Sequence, residues 1–266
     1  MPDGILLKLA CALLACAAVC ARAAAAKVPA PLGRARQLIV VTTRDWDAVG
    51  GTLRRFERRG ARGVWAQVGA GVPVVVGRTG LAWGVGVVPS GGVSVVPSGA
   101  AAGPRKREGD GKAPAGVFRL GPAFGFATRA EASWLRTPYK PLRPATECVD
   151  DTGSRRYNLI VDRGAPRDVD WNSSERMREI EGYRWGLVVE HNAAPPVAGL
   201  GSCIFLHVWA APDKGTAGCT AMEQPNLEAL LRWLDPSKRP LLVQLPDAEY
   251  ARLRRDWNLP PPRAVK

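Results

Sequence analysis

Only two histidines occur in this chain of 266 residues, His191 and His207, and the second precedes Cys219 by twelve positions. Cys219 sits among small residues in Thr216-Ala217-Gly218-Cys219-Thr220-Ala221-Met222. A thiol attacks carbonyl carbon as thiolate, so such chemistry needs a neighbouring imidazole that takes its proton. Gly218 leaves the backbone bare, which lets amide N–H groups approach a developing oxyanion. The pattern points to nucleophilic acyl chemistry. A His and a Cys at this separation are a weak signal alone, and most such pairs do nothing together.

The elements that must position them are short strands. Gly201-Ser202-Cys203-Ile204-Phe205-Leu206-His207-Val208 reads as a buried strand with His207 near its end, and Pro212-Asp213-Lys214-Gly215 as a turn. The chain can then reverse and bring Cys219 beside His207. Behind it, Leu227, Leu230, Leu231 and Leu234 fall at i, i+3, i+4 and i+7, predicting a helix that starts at Pro225 and stops at Asp235-Pro236. Leu38–Val41, Val64–Val68, Val72–Gly77 and Leu241–Leu245 read as strands, with Gly69 and Gly71 as tight turns. Gly50–Arg59, with Leu53 and Phe56 three apart, reads as a short helix. Ser173-Ser174-Glu175 reads as a second helix start, and Asp247–Trp257 as a peripheral helix. Residues 84–104, with a repeated Val-Val-Pro-Ser, read as an exposed loop. The expected class is mainly β.

The N-terminus bounds the compartment. Lys8, the apolar run Leu9–Val19 and Ala21-Arg22-Ala23 form a secretory signal peptide with cleavage after Ala23, so the expected segments are a signal over 1–23 and a flexible linker over 24–36. The run is too short to span a membrane, which needs about 20 apolar residues. A lipid anchor at Cys16 is the alternative reading. Cleavage removes Cys11, Cys16 and Cys20 and leaves Cys148, Cys203 and Cys219. An odd count in an exported protein points to one free thiol or an intermolecular bridge, and a Cys148–Cys203 disulfide leaves Cys219 available. Three buried thiols are the alternative.

Residues 1–23 hold Asp3, Lys8 and Arg22, a net +1, so the remainder keeps +12 of the total +13. A strongly basic exported protein favours anionic neighbours such as acidic wall polymers, though a generally solvated basic surface explains the charge equally well. No zinc-finger spacing or aromatic-interleaved basic motif accompanies it, which argues against nucleic acid as a partner.

Lys106-Arg107-Glu108-Gly109-Asp110-Gly111-Lys112-Ala113-Pro114-Ala115-Gly116-Val117-Phe118 resembles the EGDGKTPxGxF stretch of L,D-transpeptidase-like (YkuD-type) cell-wall proteins. His207 with Thr216-Ala217-Gly218-Cys219 resembles that family's histidine followed by Ser/Thr-x-Gly-Cys. Between them, Val149-Asp150-Asp151-x-x-Ser154-x-x-Tyr157-Asn158 and Trp171-x-Ser173-x-Glu175-x-Met177 are similar to the branch carrying the EGDGK segment. The resemblance covers residues 37–246, leaving 247–266 as a C-terminal helix and tail. It implies a β-sandwich with a few short helices, one of them after the cysteine.

It also implies a cysteine acyltransferase acting on peptidoglycan stem peptides in the periplasm or cell wall. Cys219 would be the nucleophile and His207 the base, with the imidazole oriented by the Val208 carbonyl. Backbone N–H groups of Gly218 and Cys219 would form the oxyanion hole, and no metal or cofactor is implied. Ala217 stands where the family more often has histidine, which leaves the acyl acceptor open: a second stem peptide, a lipoprotein or water. A non-catalytic wall-binding module is the reading from another class. His191, Lys112 and Thr216 are candidates for peptide contact, although a structural hydrogen-bonded role explains His191, and turn formation explains Lys112. Asp150 and Asp151 have no neighbouring ligand set for a metal.

Overall fold

A computed structural model describes residues 32–60, 63–87, 103–193 and 195–261. The expected signal peptide, most of the expected linker and most of the Val-Val-Pro-Ser repeats lie outside the described residues. Residues 32–36 pack onto the domain: Leu32 is 1 % exposed, and Arg58 donates to the carbonyls of Leu32 and Ala35 at 2.5 and 2.7 Å.

The chain is mainly β. Its strands are β1 (Gln37–Thr43), β2 (Gly50–Glu57), β3 (Ala66–Val75), β4 (Leu81–Trp83), β5 (Ala113–Gly125), β6 (Tyr139–Pro141) and β7 (Thr146–Val149). They continue as β8 (Ile160–Asp162), β9 (Ser174–Arg176), β10 (Trp185–Val189), β11 (Phe205–Val208), β12 (Thr220–Met222) and β13 (Leu241–Pro246). Among the described residues two α-helices, α1 (Gln224–Trp233) and α2 (Asp247–Leu253), accompany them. The large sheet runs β10-β11-β12-β3-β2-β1-β13-β5, and β10 also pairs with β5, so the sheet closes on itself in a barrel-like arrangement. Closure leaves these eight strands without an open edge. A separate three-stranded sheet, β8-β7-β9, lies beside it.

Local sequence patterns misread three elements. Gly50–Glu57 is a strand, not a helix: β2 pairs with β1 along its whole length, from Gln37↔Glu57 to Thr43↔Gly51. On a strand, residues three apart face opposite sides. Leu53 and Phe56 are nevertheless both buried, because this part of the sheet is covered on both faces; Gln37 through Val41 of β1 are buried without a break. Two covered faces thus imitate a helical spacing. Ser173–Met177 likewise begins no α-helix. Ser174–Arg176 pairs with β7, and the Ser174 hydroxyl donates to Glu147 at 2.8 Å instead of capping a helix. A 3-10 turn over Met177–Glu179 follows. The two strands expected on either side of Gly69 and Gly71 are one strand, β3, whose register against β2 shifts at this point, with Gly69 at φ +69°.

Helix α1 follows the periodic leucines. Pro225 lies in its first turn, and Leu227, Leu230 and Leu231 are buried on its inner face. Burying each such side chain contributes roughly 1.5–3 kcal/mol. This stripe packs α1 against β10 and β11, behind the strand that carries His207.

Candidate active site

The site forms where β11 and β12 run parallel, with Leu206↔Thr220, His207↔Ala221 and Val208↔Met222 in register. One step back along that register sets Cys219 beside Phe205. Side chains two apart on a strand share a face, so Phe205 and His207 project together. Tyr183, from the 3-10 turn Glu181–Arg184, meets both edge-on, with ring centroids 5.4 Å from Phe205 and 5.2 Å from His207. Cys219 belongs to the same buried cluster as Phe205 and Tyr183.

Cys219 is the free cysteine among the described residues and is 5 % exposed. Its sulfur accepts the Phe205 N–H at 3.3 Å and faces the Cys203 carbonyl at 3.4 Å. Burial, reinforced by the nearby Glu175 carboxyl, pushes the thiol far above its usual range, so the resting group is a thiol. The other two described cysteines, Cys148 and Cys203, form a disulfide that ties β7 to the segment leading into β11.

His207 is pushed down to about 4 by burial, so its ring is neutral at neutral pH. Its Nδ1 lies 2.8 Å from the Val208 carbonyl. A carbonyl only accepts, so Nδ1 carries the proton and Nε2 keeps its lone pair. Gly182 makes this possible: a Cβ there would lie 2.7 Å from the Val208 oxygen and 3.2 Å from His207 Nδ1, too close for a real side chain.

The remaining sequence candidates have other surroundings. His191 is 1 % exposed; its Nε2 donates to the Leu200 carbonyl at 2.9 Å and its Nδ1 accepts the Val85 N–H at 3.1 Å. Both ring nitrogens are therefore occupied by backbone. Lys112 Nζ donates to Asp47 at 3.1 Å and to the Thr79 carbonyl. The Thr216 hydroxyl donates to the Cys219 carbonyl at 2.6 Å and accepts the Gly218 N–H at 3.1 Å, which shapes the turn before the nucleophile candidate.

Three residues beside Cys219 were not singled out from sequence. Lys106 is buried, holds Asp110 at 2.6 Å, passes close to Gly201, and its charge favours a Cys219 thiolate. Tyr183 carries no motif. Glu175 lies within the Trp171-to-Met177 segment, and in the fold it accepts the Tyr183 hydroxyl at 2.6 Å. Burial pushes the Glu175 carboxyl up to about 7 despite that hydrogen bond.

Among the described residues no cluster of three or more His, Cys, Asp or Glu side chains could hold a metal ion. No described helix is long and apolar enough to cross a membrane. Neither the search of curated proteins nor that of solved structures returns a match. The family model described as "YkuD: L,D-transpeptidase catalytic domain" matches residues 61–243, a span that runs from before β3 to within β13 and includes His207, Cys219 and the glycine-rich segment before β5. With well over half of its length matched, the chain belongs to the L,D-transpeptidase catalytic domain family.

Proposed function

We propose that the protein is an exported peptidoglycan L,D-transpeptidase working through a thioester on Cys219. The observation that carries this reading is the His207 tautomer: Nδ1–H held by the Val208 carbonyl leaves Nε2 as a base on the sheet face it shares with Phe205, whose N–H meets the Cys219 sulfur at 3.3 Å. Cys219 attacks the amide carbonyl of a stem peptide, and His207 takes the thiol proton and delivers it to the departing amine. With the imidazole neutral and the thiol protonated at rest, that proton leaves during attack and not before it. Backbone N–H groups of Gly218 and Cys219 stabilise the oxyanion, each such donor contributing about 3 kcal/mol. For Gly218 this requires release of the Thr216 oxygen it now holds. The acyl group passes to a side-chain amine of a second stem peptide.

Incubation with a defined disaccharide-tetrapeptide tests the proposal. The expected result is a covalent adduct on the native protein by intact mass, followed by a cross-linked dimer. Cys219→Ala abolishes the adduct and keeps the fold; an adduct on that variant would overturn the assignment. His207→Ala slows acylation by about 10²–10⁴-fold. Release of tripeptide without a dimer would favour a hydrolase, and salt-sensitive binding to wall sacculi that survives Cys219→Ala would favour a non-catalytic wall-binding role.

A further inference from the structure

We infer that Glu175, acting through the Tyr183 hydroxyl, is a positioning residue whose charge sets how readily the resting Cys219 thiol gives up its proton. The inference rests on the reading of Cys219 as nucleophile, and the geometry is a short chain. The Tyr183 hydroxyl donates to Glu175 Oε2 at 2.6 Å, and Tyr183 lies in one buried cluster with Cys219, whose thiolate it favours. The Tyr183 ring is buried and is held by Phe205, His207 and Phe124, with centroids 5.4, 5.2 and 5.6 Å away. It cannot swing freely, so the one adjustable part is the hydroxyl proton.

A hydroxyl has a single proton to direct. While Glu175 is ionised, that proton points to the carboxylate, and the Tyr183 oxygen turns lone pairs toward the sulfur. That arrangement suits an S–H donor and opposes a thiolate, and the carboxylate charge adds repulsion. When Glu175 takes a proton from solvent, its new O–H donates to the Tyr183 oxygen. The Tyr183 proton is then released to point at sulfur and stabilises the thiolate. The Glu175 O–H is the one covalent bond made in this exchange.

The groups facing this chain come from several elements. Glu175 feels Asp150 after β7 and Glu108 in the segment before β5, both of which favour its protonation. Lys106, paired with Asp110, acts on the sulfur in the opposite sense to Glu175. His207 touches the Tyr183 ring and is neutral near pH 7. Burial already moves Glu175 up to about 7, which places the exchange near neutral pH.

The test follows Cys219 without substrate. In the full chain, iodoacetamide labelling of Cys219 is timed by peptide mass mapping from pH 5 to pH 9, in native protein and in Glu175→Gln. Glutamine keeps the size and the hydrogen bond to Tyr183 and removes the charge. The expected ratio of variant to native rate is close to one at pH 5, where native Glu175 is protonated and residue 175 is uncharged in both proteins. It rises to about tenfold or more at pH 9, as a neighbouring like charge shifts a pKa by about one unit or more. Adding Tyr183→Phe to Glu175→Gln removes most of that gain. A ratio that stays constant with pH, or equal rates throughout, overturns the inference, because a purely structural role gives no pH-dependent ratio.

Should the variant not fold, the native protein still decides the matter. Its ¹³Cβ-cysteine resonance for Cys219, assigned with Cys219→Ala, must show an inflection near pH 7, and a flat trace between pH 5 and 8 overturns the inference. Labelling that follows this pattern in a protein never acylated by stem peptide would sink the transpeptidase reading alone. Acylation with a pH-independent ratio would sink this inference alone.

Discussion

Removing the disulfide should cost stability and activity together. Cys148 and Cys203 are 55 residues apart in sequence, and both are buried. Cross-linking a loop of that length lowers the entropy of the unfolded chain, which corresponds to about 4 kcal/mol at 25 °C. For a domain of this size about 4 kcal/mol corresponds to a fall in Tm of roughly 8–16 °C. The effect should reach the site as well. Cys203 lies at φ +54°, in the left-handed region, with its N–H donating to Asn158 at 2.9 Å and its carbonyl 3.4 Å from the Cys219 sulfur. Without the bond to β7, the segment before β11 has less to hold that backbone, and Cys219 loses a fixed neighbour. Urea unfolding of Cys148→Ala/Cys203→Ala under non-oxidising conditions, with acylation of Cys219 by intact mass, measures both effects. A double variant within about 1 kcal/mol of native and equally acylated would refute the reasoning.

Three further outcomes follow from the geometry. Gly182→Ala places a methyl against the Val208 carbonyl and His207 Nδ1, so kcat should fall about 10–100-fold while the melting temperature moves little; steady-state kinetics beside thermal unfolding checks this. Acid should weaken the fold through His191 and His207, both lowered to about 4, chiefly by burial. Their contribution is complete above about pH 6.5 and is lost as pH falls toward 4, on the order of 3 kcal/mol for the fully buried His191. Glu175, raised to about 7, works in the opposite sense, losing stability as pH rises from about 4.5 to 7, so Glu175→Gln should steepen the acid loss. A urea midpoint that is flat from pH 7 to 4 in both proteins would contradict this. Gln244→Ala strips partners from the buried Pro114 carbonyl of β5 (2.9 Å) and the buried Thr220 hydroxyl of β12 (2.7 Å), and should cost about 2–3 kcal/mol by urea unfolding.

Residue type and local spacing carried much of this reading. The leucine stripe of α1 and the β-branched run of β1 follow from periodicity and branching, which depend on near neighbours in sequence, whereas the odd cysteine count left several readings open and the fold supplies the Cys148–Cys203 bond. Leu53 and Phe56 did not yield to the same logic. Their burial depends on what covers each face of the closed sheet, and that information lies in segments far along the chain. Ser174 was misread for a similar reason, because its hydroxyl partner, Glu147, is remote in sequence.

For the site, the amino-acid order alone determined which thiol and which imidazole to consider, and the small residues that leave backbone exposed around Cys219. The tertiary structure decided their surroundings. It buried the thiol, fixed the tautomer of His207 on Val208, closed both nitrogens of His191, and set Tyr183 and Glu175 beside the sulfur. Protonation and tautomer depend on desolvation and on hydrogen-bond partners from distant strands, and only the folded chain supplies those.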